Sequence, residues 1–492
     1  MRRRLFSLFP LLLLLLAAFA LKAALLAHFD AHPLLQPTGD MDGGVYARLA
    51  TDVARGDVLL RGPGPVPYFV SPLYIYFLAA VHVLSAGSLF AAKVVQIALG
   101  TAAVGLVYGT AQRIFDDRAA LAAGILYALT GVVSFHEILI LQAALDPFLT
   151  SLFLYLLAVG LTSRSFSLKV NEDGARAGGS LSWGVWLAAG AAGGLLALNR
   201  PNALLCIPVI ALAIAAMPLF LPPFKENSLR SPLPALALLA GTAAAIAPVT
   251  VRNLVVSHEF VLISSHGGLN FLVGNGPGAN GVYRALPGIT PDIGGQSHDA
   301  KRLAEAAEGR TLSTREVSAH FAKKAWTWIR ESPGAAAGLF LRKVWYVLSR
   351  DEAPLNFSFP WYREQSVALK LLFVGPGFLV PLAVAGFVLS LIGSAGAERR
   401  VLLVWASFIP AYVLSVAAFF VATRYRLPLL VALAPLGGAA VARLPEVWRA
   451  KGARLGAAVA AAAVLAAVSL WPTGLYDGAA DEDMHWALYL VE

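Results

Sequence analysis

The stretch LFSLFPLLLLLLAAFALKAALLA, residues 5–27, follows Arg2, Arg3 and Arg4 and decides the class of this protein. One membrane-spanning helix needs about 20 apolar residues, and this run supplies them. Residues 18–20 offer an A-x-A cleavage pattern, but the run is longer than a usual signal-peptide core and more apolar stretches follow it. It reads as a retained signal-anchor with its N-terminus in the cytoplasm. Composition extends that reading to the whole chain. Of the 492 residues 58% are hydrophobic and 14% charged, where a soluble domain carries roughly 25% charged residues. Such a chain is neither an ordinary soluble domain nor a disordered one. The single cysteine, Cys206, excludes a disulfide framework and a cysteine zinc cluster. The formal charge of +9 is better explained by basic cytoplasmic loops than by nucleic acid, for which no binding motif is present.

Further apolar segments lie near 69–85, 89–111, 119–135, 147–162, 181–199, 202–221, 232–251, 366–393, 401–421, 428–444 and 454–471. If all of them crossed, the Arg164/Lys169/Arg176 loop would face outward, against the positive-inside rule. If 69–85 is instead re-entrant or interfacial, the groups Arg113/Arg118, Arg164/Lys169/Arg176, Lys225/Arg230, Arg399/Arg400 and Arg443/Arg449/Lys451/Arg454 all face the cytoplasm. The charge pattern selects this topology, with about eleven crossings. The expected fold is an all-α polytopic membrane protein of about 11–12 transmembrane helices with a mixed extracytoplasmic loop region. Its expected parts are an N-terminal transmembrane catalytic module, 1–251, with a first outer loop at 28–68. An extracytoplasmic region, 252–365, precedes C-terminal transmembrane helices over 366–471 and a short outer tail, 472–492. Within 252–365 a helix is expected around 300–331 and an interfacial one at 335–349.

This topology places a small set of polar residues outside. Asp40 and Asp42 precede a helical pattern over Val45–Ala54. Carboxylates at i and i+2 can share a cation, or one can serve as base while the other orients it; alternatively they form a solvated turn that caps the helix. Asp146-Pro147 opens a span, where aspartate is a good cap and proline suits the first turn. Its side of the membrane matches that of Asp40 and Asp42, which gives it a functional reading as well. Glu137 lies at the start of the same link and is either functional or simply solvated. Arg424 and Arg426 sit between two spans on the side where positive charge is disfavoured. Guanidinium groups bind phosphate through directed N–H bonds, or they snorkel to lipid phosphates without specificity. Arg200 and Arg252, at other outer ends, invite the same two readings. Asn270 and Asn275 belong to a glycine-rich stretch that fits no nucleotide loop and either shapes a headgroup site or forms turns.

Taken in order, Asp42 with Tyr46, 71–74 (Ser-Pro-Leu-Tyr), 145–147 (Leu-Asp-Pro), 199–201 (Asn-Arg-Pro), 270–283 and 424–428 (Arg-Tyr-Arg-Leu-Pro) resemble the GT-C membrane glycosyltransferases. The likeness is to the branch of protein O-mannosyltransferases and lipid A aminoarabinose transferases. The resemblance implies a GT-C-like fold with Asp42, or Asp40 in a shifted register, as catalytic base and Asp146 as a second acid. It implies Arg424 and Arg426 as holders of the donor phosphate, and a cell-membrane enzyme with an extracytoplasmic site. The implied partners are a polyprenyl-phosphate-sugar donor, membrane lipid, and a glycan, lipid or protein acceptor. The implied reaction is one inverting displacement, with a divalent cation such as Mg or Mn on Asp40 and Asp42 as an optional aid. Two rival readings are a flippase of a lipid-linked saccharide and a non-catalytic envelope assembly protein. Transporters favour internal repeats and ionisable residues at mid-membrane, neither of which this sequence displays.

Overall fold

A computed structural model describes residues 2–62, 64–163, 181–217, 232–450 and 452–491. The basic groups Arg164/Lys169/Arg176 and Lys225/Arg230, the residue Lys451 and the end of the expected 202–221 span lie outside the described residues. Among the described residues the chain is helical, with two isolated bridges, Thr130 to Phe373 and Val282 to Val421, in place of any sheet. Seven helices among the described residues are long and apolar enough to cross a bilayer: Phe9–Phe29, Leu89–Ile114, Gln142–Thr162, Leu233–Ser257, Pro376–Gly393, Gly396–Ala417 and Thr423–Pro445. Four shorter apolar helices join them: Leu73–Leu84, Trp183–Asn199, Pro201–Ala216 and Leu455–Leu470. This is a multi-pass membrane protein.

Leu73–Leu84 does not traverse the bundle. Its 12 residues extend about 18 Å at 1.5 Å per residue, short of the roughly 30 Å hydrocarbon core. Both its ends also lie at one end of the bundle. Lys93, just after it, pairs with Asp30, from before it, at 2.8 Å. Tyr46, in the loop after the first span, donates to Gln142 Oε1 at 2.7 Å. Between those two residues the chain therefore runs the bundle an even number of times, by Leu89–Ile114 away from this end and by 117–137 back to it. The second pass is broken, correcting the continuous span expected at 119–135. Helix Asp117–Ala128 ends, and helix Gly131–Glu137 begins after Thr130, which pairs with Phe373. Seven long helices, three shorter ones and this broken pair form the apolar bundle among the described residues.

Two other expectations change. The span expected from 366 begins at Pro376, because Phe359–Gln365 and Val367–Leu371 are separate short helices with serine caps. The helix expected around 300–331 is two, Ile293–Glu308 and Thr314–Glu331. Gly309 ends the first in a left-handed conformation (φ 66°), and Ser313 with Glu316 forms a capping box that starts the second. Helix Pro333–Leu348 follows, over the segment for which an interfacial helix is expected.

Small residues set a close helix crossing. A Cβ on Gly190 would lie 2.0 Å from the Leu238 carbonyl oxygen, and one on Gly241 would lie 2.1 Å from that of Leu187. Two helices thus touch backbone to backbone, as small residues allow in membranes. The opposite end of the bundle gathers Arg443 over the Phe115 ring at 5.3 Å and Arg113 over Tyr155 at 5.5 Å.

Glu137 belongs to this packing and not to a substrate loop. It is fully buried and paired with Lys22 of the first helix, which also donates to Ser134 at 3.1 Å. A charge at that depth is tolerable only when paired. A Cβ on Gly100 would fall 2.3 Å from the Glu137 carboxyl, so this glycine makes room for the pair.

Candidate active site

Residues from widely separated positions meet at the end of the bundle that holds Asp30 and Gln142. Helix Asp42–Ala54 opens there, with Met41 as its N-cap and Asp42 in its first turn. Asp42 makes no capping bond. Its carboxylate accepts from Arg424 at 2.6 Å, with both side chains about nine-tenths buried. The solvated-cap reading therefore does not describe Asp42. Asp40 is solvated, 68% exposed and paired with Arg48 at 2.6 Å, and it makes no capping bond either.

Arg424 is aimed by its own turn. The one-turn helix Thr423–Arg426 is pinned by Thr423, whose amide donates to the Ala353 carbonyl at 2.7 Å and whose hydroxyl accepts from the Ala353 amide at 2.8 Å. Arg424 leaves this turn toward Asp42 and the Asn356 amide oxygen. Arg426 leaves it the other way, to the Ser349 carbonyl at 2.6 Å and to Glu352. The pair expected to hold one phosphate is thus split, because two residues apart on so tight a turn the side chains diverge.

Two adjoining cavities meet here. One, of about 260 Å³, holds the polar groups Asp42, Arg424, Asn356, Tyr283 and Gln296 in its wall. The other, of about 250 Å³, mixes Leu204, Leu262, Val416 and Phe419 with Asn202, Ser264 and Ser415, and Arg200 lines it. They share Ser71, Gln142, His266, Asn270, Phe420 and Tyr425. Tyr425 stands at the junction, its ring facing the Arg200 guanidinium at 4.6 Å and that of Arg424 at 5.6 Å. The segment after helix Leu233–Ser257 roofs the polar side. There Tyr283 donates to the Pro291 carbonyl and accepts from Gln296, each at 3.0 Å.

The environment fixes protonation states. Burial raises the Tyr46 and Tyr283 phenols, so both remain neutral donors. Burial also lowers the pKa of His266. Its Nδ1 faces the Phe69 carbonyl at 2.6 Å, which can only accept, so the proton sits on Nδ1 and Nε2 is the acceptor.

The remaining sequence candidates are structural. Asp146 is wholly buried and lines neither cavity; it accepts from Arg200 Nε at 2.9 Å, from a second Arg200 nitrogen and from Asn199 at 2.7 Å. A carboxylate enclosed in this way orients Arg200 and cannot touch a substrate. Arg252 packs on Tyr68 at 4.0 Å and donates to the Leu59, Leu60 and Val66 carbonyls, which stitches the first loop together. Asn275 is held by Lys343 at 2.8 Å and donates to the Ala418 carbonyl. Among the described residues no three His, Cys, Asp or Glu side chains converge. Asp40 and Asp42 turn to different arginines, so they do not fit a shared Mg or Mn ion, and no step below uses one. Sequence reasoning missed Tyr283, Gln296, His266, Ser71, Gln142, Asn356 and Tyr425 as a lining set. Only the fold makes them neighbours.

Residues 67–170 match the model of the dolichyl-phosphate-mannose-protein mannosyltransferase family. The match includes Ser71, Gln142 and Asp146 but neither Asp42 nor Arg424, and it agrees with the resemblance drawn from the motifs. No curated protein matches the chain. Among solved structures, the chain is similar to the oligosaccharyltransferase AglB of Archaeoglobus fulgidus in complex with an inhibitory peptide and a dolichol-phosphate. Identity is 15% and the TM-score 0.47, over 95% of this chain and 55% of that one. It is also similar to ArnT of Cupriavidus metallidurans bound to undecaprenyl phosphate, at 17% identity and a TM-score of 0.36, over 89% of this chain and 78% of that one. The chain spans about half the length of the archaeal protein.

Proposed function

We propose that this protein is a membrane glycosyltransferase that moves a sugar from a polyprenyl-phosphate-linked donor to a hydroxyl acceptor on the extracytoplasmic face, with its N-terminus in the cytoplasm. The observation that carries the reading is the pair of adjoining cavities that share Tyr425. A cavity that holds the Asp42–Arg424 pair, beside one whose wall carries Leu204, Leu262, Val416 and Phe419, suits a ligand that is part sugar phosphate and part lipid. Its phosphate falls at the junction, where the Arg200 and Arg424 guanidinium groups both approach the Tyr425 ring.

In this reading Asp42 is the base. The acceptor oxygen forms a bond to the anomeric carbon as its proton passes to Asp42. The bond from that carbon to the phosphate oxygen breaks, and its electron pair leaves with the phosphate. Arg424 and Arg200 stabilise that departing charge, where fixed donors act most strongly in a site shielded from water. A single displacement inverts the anomeric centre. Asp146 takes part only by holding Arg200 in place. The flippase and assembly readings have no observation of their own among the described residues.

Mass spectrometry of envelope glycans, lipids and glycoproteins from cells with and without the protein tests this function. Loss of one defined sugar, restored by the wild-type chain and not by Asp42→Asn, is the expected result. An unchanged envelope overturns it.

A further inference from the structure

Behind the Asp42 turn lies a third cavity, of about 360 Å³, whose outer wall is the C-terminal helix Ala479–Val491. His485, Leu488 and Tyr489 face it from that helix, opposite Gln36 and Phe357. This cavity shares Met41 and Asn356 with the polar cavity. Asp42 lines only the polar side, whereas Gly43 and Gly44 line only the third cavity. The turn at 41–44, together with Asn356, is therefore a thin partition with the proposed base on its inner surface.

The helix that closes this space is anchored. Glu482 accepts from the Ser358 amide at 3.0 Å and from the Tyr362 hydroxyl at 3.2 Å, and Asp483 accepts from the Trp361 indole at 2.7 Å. Trp486 stacks on His32 with centroids 5.3 Å apart, and Tyr489 stacks on Trp486 at 5.7 Å. Charge sets this cavity apart from the other two. It has no arginine or lysine in its lining, and the carboxylate of Glu482 is spent on internal partners. A phosphate finds no cation here. A neutral ring with apolar faces and hydroxyl edges finds aromatic faces beside amide and imidazole groups.

We propose that this third cavity is the acceptor site, that it takes a neutral saccharide, and that the C-terminal helix is its specificity wall. The inference rests on the glycosyltransferase reading. The acceptor hydroxyl reaches past Met41 and Asn356 to Asp42, while the donor sugar approaches from the polar side.

The sole cysteine, Cys206, is buried, so a thiol placed in the cavity is the accessible one. Full-length Leu488→Cys is treated in cell membranes with a bulky neutral maleimide, and transfer to the endogenous envelope acceptor is followed by mass spectrometry. Binding of undecaprenyl phosphate is measured in parallel. Labelling is expected to lower transfer by about tenfold or more while that binding stays unchanged. Labelled Val491→Cys, on the same helix but 88% exposed and outside the cavity lining, retains transfer. Neutral oligosaccharides released from envelopes of cells lacking the protein slow the labelling of Leu488→Cys. Wild-type transfer by labelled Leu488→Cys overturns the proposal, as does loss of undecaprenyl phosphate binding. Labelling rates indifferent to the oligosaccharides overturn the saccharide class. If wild-type membranes transfer no sugar at all, the glycosyltransferase reading itself has failed.

Discussion

Arg424 places its guanidinium 2.6 Å from the carboxylate of Asp42, across 382 positions of sequence. The contact joins the first loop to the turn before the last long span and closes one side of the polar cavity. It also puts the group proposed to take a proton beside one proposed to hold a phosphate.

Asp42→Asn keeps the shape of this contact and removes the base. General-base catalysis contributes roughly 10²–10⁴ in rate, so transfer should fall by about that range. Undecaprenyl phosphate binding should persist, since the arginines remain. Turnover equal to wild type would remove Asp42 from the mechanism.

Arg424→Ala has a different signature. It leaves a nearly buried carboxylate unpaired, and breaking a buried pair from one side typically costs about 3–5 kcal/mol. Thermal stability in detergent should drop together with transfer. Asp42→Asn combined with Arg424→Ala should lose less stability than the two single effects added, because the stranded charge is gone.

Asp146 and Arg200 are expected to behave as a structural unit. Asp146→Ala strands a buried guanidinium and should lower folded yield by an amount on the order of 3–5 kcal/mol. Replacing both residues with leucine and methionine should restore folding without restoring transfer, because Arg200 lines the cavity. Restored transfer in that double variant would exclude Arg200 from donor binding.

His266 makes stability depend on pH. Burial lowers its pKa in the folded protein, while the unfolded chain titrates near 6.5. Between these values the unfolded state binds more protons, so stability is full above about pH 6.5 and falls as the pH drops toward the folded value. Melting temperatures measured from pH 8 to 5 should show this loss, and His266→Asn should flatten it. An unaltered slope in that variant would assign the loss to other groups.

Gly190→Val tests the close crossing of helices Leu181–Asn199 and Leu233–Ser257. An added side chain meets the Leu238 carbonyl well inside contact distance, so the helices must separate and much of the protein should fail to extract as a monodisperse species. Gly184→Val, on the same helix with open space around it, serves as the control.

The sequence carried more of the fold than of the site. Basic residues sort to one side under the positive-inside rule, and that sorting marked 69–85 as the segment that does not cross. The helix is indeed too short and has both ends on one side. Sorting by side also singled out Asp42 and Arg424, since charge is scarce in such a chain. It could not separate Arg424 from Arg426 or Asp42 from Asp40, because neighbours along the chain share a side of the membrane whatever their side chains do.

The sequence by itself determined membrane residence and an all-α bundle of apolar helices, and it set an expectation for which charges share a side. These depend on apolar run length and on the cost of moving charge across a bilayer, both local properties. The tertiary structure decided which charges face a cavity and which are consumed in packing. It sent Asp146 and Glu137 inward to arginine and lysine partners and left Asp42 at a cavity wall. That choice depends on contacts across tens to hundreds of residues, and only the packed helices bring those partners within reach.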